Sequence, residues 1–373
     1  MKVVLDARTA YGPTRRGIGK CLVELYRRVA TMRPVWHFVM LHRGAAIDDP
    51  FASLPNVENR KIEMPGDRWG LWQRARLPLA AKGVRADVLH CPANTGPRWP
   101  LSPMLLTVHD LIPLQPEFLT EASKCWGRNV AVAARKARRI TTPSECSKAQ
   151  ITKAFGIPPD KIAVHPWGPN PICKPMLDAA ELARIKQAYG VDCGREYVLA
   201  FGGEDPRKNT ERVLRAWNSL SSRLHEQFSL VVVGVQEPFL AKLQQQCHAD
   251  ERSNSCAVHG YVSEEDLSSL LGGASLLCYP SLSEGFGLPV LDAFACETAV
   301  LTSKVTSIPE VAGDAACYVD PRSEREIAEA VRLLLQDPAA RAELVEKGKR
   351  RLALFSWQRC AEAFCAALEA TVP

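Results

Sequence analysis

Two acids, Glu284 and Asp292, stand with seven residues between them in the stretch 279–292, Y-P-S-L-S-E-G-F-G-L-P-V-L-D. A short apolar run, 274–278, precedes this stretch, and its end opens an apolar helical segment, 289–296. The pattern is that of a strand, a loop and a helix start. Gly285 and Gly287 let the backbone approach a ligand closely, and Pro289 suits a first helical turn, where a missing N–H costs nothing. The amides of Gly285, Phe286, Gly287 and Leu288, at the positive end of a helix dipole, make a site for phosphate. Carboxylates beside a phosphate would repel it, so Glu284 and Asp292 are suited to accept hydrogen bonds from ligand hydroxyls, as a sugar offers them. A buried strand–helix joint with a solvated glutamate fits the same letters.

Two further sets of residues could do chemistry. After an apolar run at 197–201 comes G-G-E-D-P-R-K-N, with Gly203, Arg207 and Lys208, and then a helix over 210–224. Adjacent cations on a loop between strand and helix can neutralise a diphosphate and the charge it gains on departure. In the first half, the run 104–108 ends in His109-Asp110, an imidazole and a carboxylate at the carboxyl end of a strand, where open α/β sheets build sites. A lone histidine is equally at home as a structural residue. Gly17 and Gly19 follow the first strand-like run, 2–5, but G-x-G without a third glycine is a weak dinucleotide signal.

The elements that must hold these residues alternate along the chain. Strand-like runs at 35–41, 86–90, 140–143, 161–165, 228–233, 257–262, 299–302 and 317–319 join those already named, with helical segments between them. Ser144 and Ser263 are placed to cap helices. Residues 166–175, P-W-G-P-N-P-I-C-K-P, carry four prolines in ten positions and cannot continue a helix or a central strand. The alternation in two halves is α/β: two doubly wound parallel sheets facing a cleft. The expected division is 1–168, a linker at 169–177, a second domain at 178–354, and a final segment at 355–373.

Composition bounds the class. The 373 residues are 46% hydrophobic and 24% charged, which describes a folded globular chain. No run of about 18 apolar residues occurs, and Met1 leads straight into the first strand, so neither a membrane span nor a signal peptide is expected. Thirteen cysteines, odd in number and without a C-x-x-C pair, favour reduced thiols in a cytoplasmic protein over disulfides or a zinc site. The net charge of +6 divides into +13 over residues 1–170 and −7 over the rest. A basic half argues for an anionic partner: phospholipid headgroups, a phosphorylated acceptor or nucleic acid. Within it, segment 67–84 interleaves Trp69 and Trp72 with Arg74 and Arg76. That mixture suits a segment entering a headgroup layer, and equally an amphipathic helix packed on its own sheet.

The stretch 279–292 resembles the acidic signature of glycosyltransferase family 4, retaining enzymes of GT-B architecture, in which two acids separated by seven residues hold a nucleotide-sugar donor. P-R-K-N at 206–209 and T-V-H-D-L-I-P-L at 107–114 resemble further segments of that family. Two positions depart from it: Asp292 replaces the usual Glu, and Gly202-Gly203 stand where many relatives have Arg. The resemblance implies two Rossmann-like domains, with the last helix crossing back to the first. It implies a nucleotide diphosphate sugar as donor and a glycan or lipid-linked acceptor, with no cofactor, no metal and no nucleic acid. Arg207, Lys208 and the helix start near Gly287 would stabilise the leaving diphosphate. Glu284 would orient the sugar, Asp292 the ribose, and His109 the sugar's other side, with Asp110 beside it. Backbone near Val262 would meet the base, and the loop with Gly17, Arg15 and Arg16 would face donor phosphate or acceptor. The H-D-L-I-P-L and R-K-N forms look most like bacterial enzymes that use GDP-mannose. An acceptor at the inner face of an anionic membrane would use the basic half. A UDP-sugar-dependent transferase, a GT-B epimerase and a nucleotide-sugar-binding module are the alternatives; a nicotinamide dehydrogenase lacks its fingerprint.

Overall fold

The computed structural model describes the chain except for residues 13–14, 16, 44–47, 63–68, 177 and 249–254; the side chains of Trp69 and His248 also lie outside the description. It forms two compact units, residues 1–168 with 356–373, and residues 169–355. Residues 169–177 and 355 thus belong to the second unit.

The first unit is built on seven parallel strands in the order β3-β2-β1-β4-β5-β6-β7. They are β1 (Lys2–Asp6), β2 (His37–His42), β3 (Val57–Lys61), β4 (Val88–Cys91), β5 (Met104–Thr107), β6 (Arg139–Thr142) and β7 (Ile162–Val164). The central strands are mostly apolar, with a few buried polar residues such as His90 and Thr141, because helices cover both faces of a parallel sheet. In register, Val4 lies between Val39 and Leu89. β3, with the sequence Val-Glu-Asn-Arg-Lys, is an edge strand whose last three residues are exposed, so it lacks the apolar signal of its neighbours.

The helix Trp357–Glu369 completes this unit. Ser356 caps it by accepting from Arg359 N–H, and Trp357, Cys360, Phe364 and Leu368 are buried. Phe364 sits among the rings of Tyr26, His90 and His165, with centroids 5.8, 5.0 and 5.5 Å away. Burial of a side chain of this size contributes about 1.5–3 kcal/mol. A Cβ on Gly168 would come within 2.7 Å of the Trp357 backbone nitrogen, so the chain can pass there only as glycine.

The second unit has six parallel strands in the order β10-β9-β8-β11-β12-β13. They are β8 (Glu196–Phe201), β9 (Phe228–Val233), β10 (Cys256–Val258), β11 (Leu276–Tyr279), β12 (Val300–Ser303) and β13 (Cys317–Val319). Leu277 of β11 pairs with Leu199 of β8 on one side and Val300 of β12 on the other. In both units the strand order reverses beside the first strand, between β1 and β4 and between β8 and β11. Loops leaving the carboxyl ends of two such strands diverge to opposite faces and leave a crevice, the place where open α/β sheets bind ligands.

Candidate functional site

The crevice of the second unit brings Arg207, Lys208 and Glu284 together. β8 runs into the loop that carries both cations on a short 3-10 turn, Pro206–Lys208, whose start is capped when Asp205 accepts from Arg207 N–H. β11 runs into the loop that carries Glu284. Hydrogen bonds fasten the two loops to each other. Asn209 holds a left-handed φ of +61°, and its buried amide donates to the carbonyls of Pro280 at 2.9 Å and Pro321 at 2.7 Å. Leu282 N–H donates to the Arg207 carbonyl at 2.8 Å.

Glu284 is 10% exposed and takes both cations, Arg207 Nη1 at 3.2 Å and Lys208 Nζ at 3.1 Å. Arg207 Nε is held by Asp205 at 2.7 Å. Tyr279 OH donates to Glu284 Oε1, and Ser281 Oγ lies 2.9 Å from the same oxygen. Burial pushes the Glu284 carboxyl up, but Lys208 and Arg207 beside it more than reverse this and hold it below the ordinary glutamate value. Burial alone would lower the Arg207 guanidinium, and Glu284 and Asp205 raise it instead. The backbone of Glu284 is fixed as well: Thr306 Oγ1 accepts its N–H at 2.9 Å and Ser307 Oγ donates to its carbonyl at 2.8 Å. The cluster is a carboxylate and two cations held in a crevice, and an incoming polyanion would meet the cations directly.

The glycines near the cluster differ. Gly287 heads the helix Leu288–Ala295 at φ +117°, where a Cβ would meet Ile308 Cδ1 at 3.0 Å, and no side chain caps that helix end. Its first turn is therefore a positive end presented by backbone. Gly285 is half-buried, and Phe286 is buried against Phe355, with ring centroids 6.0 Å apart. Both backbone polar groups of Gly203 are tied to Thr210 Oγ1 at 3.0 Å. Val262 is buried just before Ser263, whose hydroxyl caps the helix Glu264–Gly273 by accepting from Asp266 N–H at 3.1 Å. Asp292 Oδ1 accepts from the backbone N–H of Asn170 at 2.7 Å, so one of its oxygens serves the start of the second unit.

In the first unit His109 follows β5, buried, with Nε2 2.6 Å from the Pro92 carbonyl. A carbonyl only accepts, so Nε2 carries the proton and Nδ1 the lone pair. Burial pushes the imidazole down to about 4, so it is neutral at pH 7. Its Nδ1 has no hydrogen-bond partner among the described residues, and His109 lines a cavity of about 20 Å³ with His90, His165 and Trp167. Asp110 Oδ1 accepts from Ile112 N–H at 3.1 Å, which ties the carboxylate to its own turn.

The other candidates of this unit lie as follows, and one of them, Trp72, needs correction. Gly17 is the first residue of the helix Gly17–Met32 with open space around it; the tight position is Gly19, where a Cβ would lie 2.3 Å from the Thr9 carbonyl oxygen. Arg15 pairs with Asp48 at 2.6 Å and donates to the Ala10 carbonyl at 2.7 Å. Arg16 lies outside the described residues. Trp72 does not face a headgroup layer: it is fully buried, its indole N–H donates to Asp6 at 3.2 Å, and Arg8 lies 5.0 Å over its ring. The segment is amphipathic, and its apolar side faces the sheet. Its outward residues are Leu71, Arg74, Arg76, Leu79 and Lys82.

Sequence reasoning missed the hydroxyls around Glu284. Tyr279 and Ser281 read as the end of a strand and a loop residue; only the folded path of β11 and its loop shows that both hydroxyls point at one carboxylate. Among the described residues no helix is long and apolar enough to cross a membrane, and no group of three or more His, Cys, Asp or Glu could hold a metal ion.

Residues 15–171 match the family model described as Glycosyltransferase Family 4, and residues 183–351 match Glycosyl transferases group 1. O-antigen chain mannosyltransferase B of Escherichia coli is 28% identical over 378 residues, spanning 96% of this chain and 97% of that protein. The MMP alpha-(1->4)-mannosyltransferase of Mycolicibacterium hassiacum is 28% identical over 292 residues, 72% of this chain and 66% of that protein. Among solved structures, Anabaena HepE in complex with UDP and glucose has the same fold, with a TM-score of 0.76 over 99% of both chains at 17% identity. With a family 4 model over its first half, a group 1 model over its second and a shared two-sheet fold, the chain belongs to glycosyltransferase family 4 and is a GT-B glycosyltransferase.

Proposed function

We propose that the enzyme transfers mannose from GDP-mannose to a hydroxyl of a glycan or lipid-linked acceptor, with retention of configuration and without a metal ion. The observation that carries this reading is the pair of cations on one buried carboxylate at the second unit's crevice. Arg207 and Lys208 can leave Glu284 for a diphosphate and stabilise the charge that develops as the sugar–phosphate bond breaks. The helix start at Gly287 adds backbone dipoles to the same task. The acceptor hydroxyl then attacks the face the diphosphate leaves, and a phosphate oxygen takes its proton. Glu284, relieved of the cations, accepts from sugar hydroxyls, and Asp292 hydrogen-bonds the ribose. His109, neutral, contributes hydrogen bonding rather than charge. The choice of mannose follows the names of the relatives above.

Thermal shifts with GDP, UDP, ADP and TDP test the donor. A ligand at 100 times its dissociation constant stabilises by about 2.7 kcal/mol, and GDP should give the largest shift. A larger shift with UDP would assign a UDP-sugar donor, and turnover of the nucleotide sugar without any acceptor would assign an epimerase. For the acceptor side, the reading places the outward face of residues 71–82 on anionic lipid. Cationic side chains there add about 1 kcal/mol each and weaken with salt. Co-sedimentation should show binding to anionic but not neutral vesicles, weakened by Arg74→Glu with Arg76→Glu; no binding at low salt rejects the membrane arm.

A further inference from the structure

Glu284 has two kinds of partner. Arg207 and Lys208 are charges that a diphosphate draws to itself, whereas the hydroxyls of Tyr279 and Ser281 are neutral donors that stay. Tyr279 OH donates to Glu284 Oε1 and accepts from Lys208 Nζ at 2.9 Å. Its ring is buried at the end of β11, edge-on to Phe201 with centroids 6.0 Å apart, so the core fixes where the hydroxyl points. Burial and then Glu284 push the phenol well above its ordinary pKa, which keeps the proton in place. Ser281 is a second, weaker holder. Its Oγ lies 2.9 Å from Glu284 Oε1 and 2.9 Å from the Arg207 carbonyl, with one proton to give.

We infer that Tyr279 is a positioning residue of the transfer reaction, its hydroxyl keeping Glu284 ionised and aimed at the donor sugar while Lys208 moves to the departing diphosphate. The inference rests on the cluster being the donor site. A carboxylate this deeply placed, deprived of both cations and of every donor, takes up a proton or turns toward water. The Tyr279 hydroxyl prevents both outcomes, because it is a charge-assisted donor set by the core rather than by the ligand. Ser281 can join it once the cations have gone, since the Arg207 carbonyl already takes the Leu282 N–H.

Tyr279→Phe keeps the ring and removes only the hydroxyl. The expected result is a kcat lower by about 10- to 100-fold with the donor KM changed less than about threefold, because the lost bond matters once the cations have moved. The acidic limb of the kcat–pH profile should move to higher pH, since Glu284 keeps fewer donors. In a Glu284→Gln background the same substitution should do little more, because the hydroxyl acts through that carboxylate. Melting temperatures of all variants separate these effects from folding, and Ser281→Ala should show the same signature in weaker form. Wild-type kcat with an unmoved acidic limb overturns the inference, as does an equal loss with and without the Glu284 carboxylate. If the wild-type enzyme moves no sugar from any nucleotide donor, the donor-site reading itself has failed and the inference falls with it.

Discussion

Lys208→Ala separates catalysis from folding at the cation pair. In the native state the Lys208 side chain is 22% exposed, and its ammonium shares Glu284 with Arg207, Tyr279 and Ser281. Its removal leaves Glu284 still paired and hydrogen-bonded, so the stability cost is on the order of 1 kcal/mol rather than the 3–5 kcal/mol of a stranded buried charge. For a unit the size of residues 169–355 that is a fall of roughly 2–4 °C in melting temperature. The cost in the transition state is larger, because the departing diphosphate gains charge as its bond to the sugar breaks. Loss of one such preorganised donor lowers kcat by roughly 10²-fold or more, about 2.7 kcal/mol. The assay is the initial rate at saturating donor, run beside a melting curve, with Lys208→Met as the companion that keeps the apolar stem. Wild-type turnover with donor still bound would remove Lys208 from the site and refute the reasoning.

Asp292→Glu restores the usual family side chain and should leave donor affinity unchanged or improved by calorimetry; a tenfold loss, about 1.4 kcal/mol, would mean a pocket built around the shorter acid that holds Asn170 N–H. Trp72→Ala should cost about 3–5 kcal/mol in denaturant unfolding, as befits a fully buried indole, and Trp72→Phe only about 1 kcal/mol for the bond to Asp6; a stable Trp72→Ala protein that merely lost vesicle binding would contradict the burial. Burial pushes the His109 and His165 imidazoles down to about 4 and about 3, against about 6.5 when unfolded, so between those values the unfolded chain holds protons that the native chain does not. Stability should be full above about pH 6.5 and fall as pH drops toward 4, by up to about 1.4 kcal/mol per pH unit for each histidine; melting temperatures that stay flat from pH 7 to 5 would show these rings protonated in the fold.

The elements that were legible in the sequence share one property: both faces of the strand are covered. The runs that became β1, β5, β9 and β11 are mostly apolar, with few polar residues such as Thr107 and Ser229 buried among them, because helix layers cover both sides. β3 escaped because an edge strand with Glu58, Arg60 and Lys61 on it is shaped by backbone pairing to β2, and side-chain pattern does not record that. The acids and cations of the site were legible because each stands at the carboxyl end of a strand, where the letters change from apolar to Gly, Pro and charge. What was not legible is which partner each side chain takes. Ser263 caps its helix as its letter suggests, but nothing in the letters says that Asp266, three residues on, turns to Arg184 and to Tyr189 OH at 2.8 Å. Trp72 beside Arg74 and Arg76 suited lipid and a packed amphipathic helix equally, and the letters did not say that the tryptophan lies on the sheet side of the turn and the arginines on the outer side.

The reaction followed by proton NMR with GDP-mannose, a mannose-terminated oligosaccharide and excess EDTA tests the central claim most directly. The account predicts equal amounts of GDP and a new mannosyl linkage, with the anomeric configuration of the donor kept and the rate unaffected by the chelator. Intact GDP-mannose alongside turnover of another nucleotide sugar, an inverted linkage, or a reaction abolished by EDTA and restored by a divalent ion would contradict it.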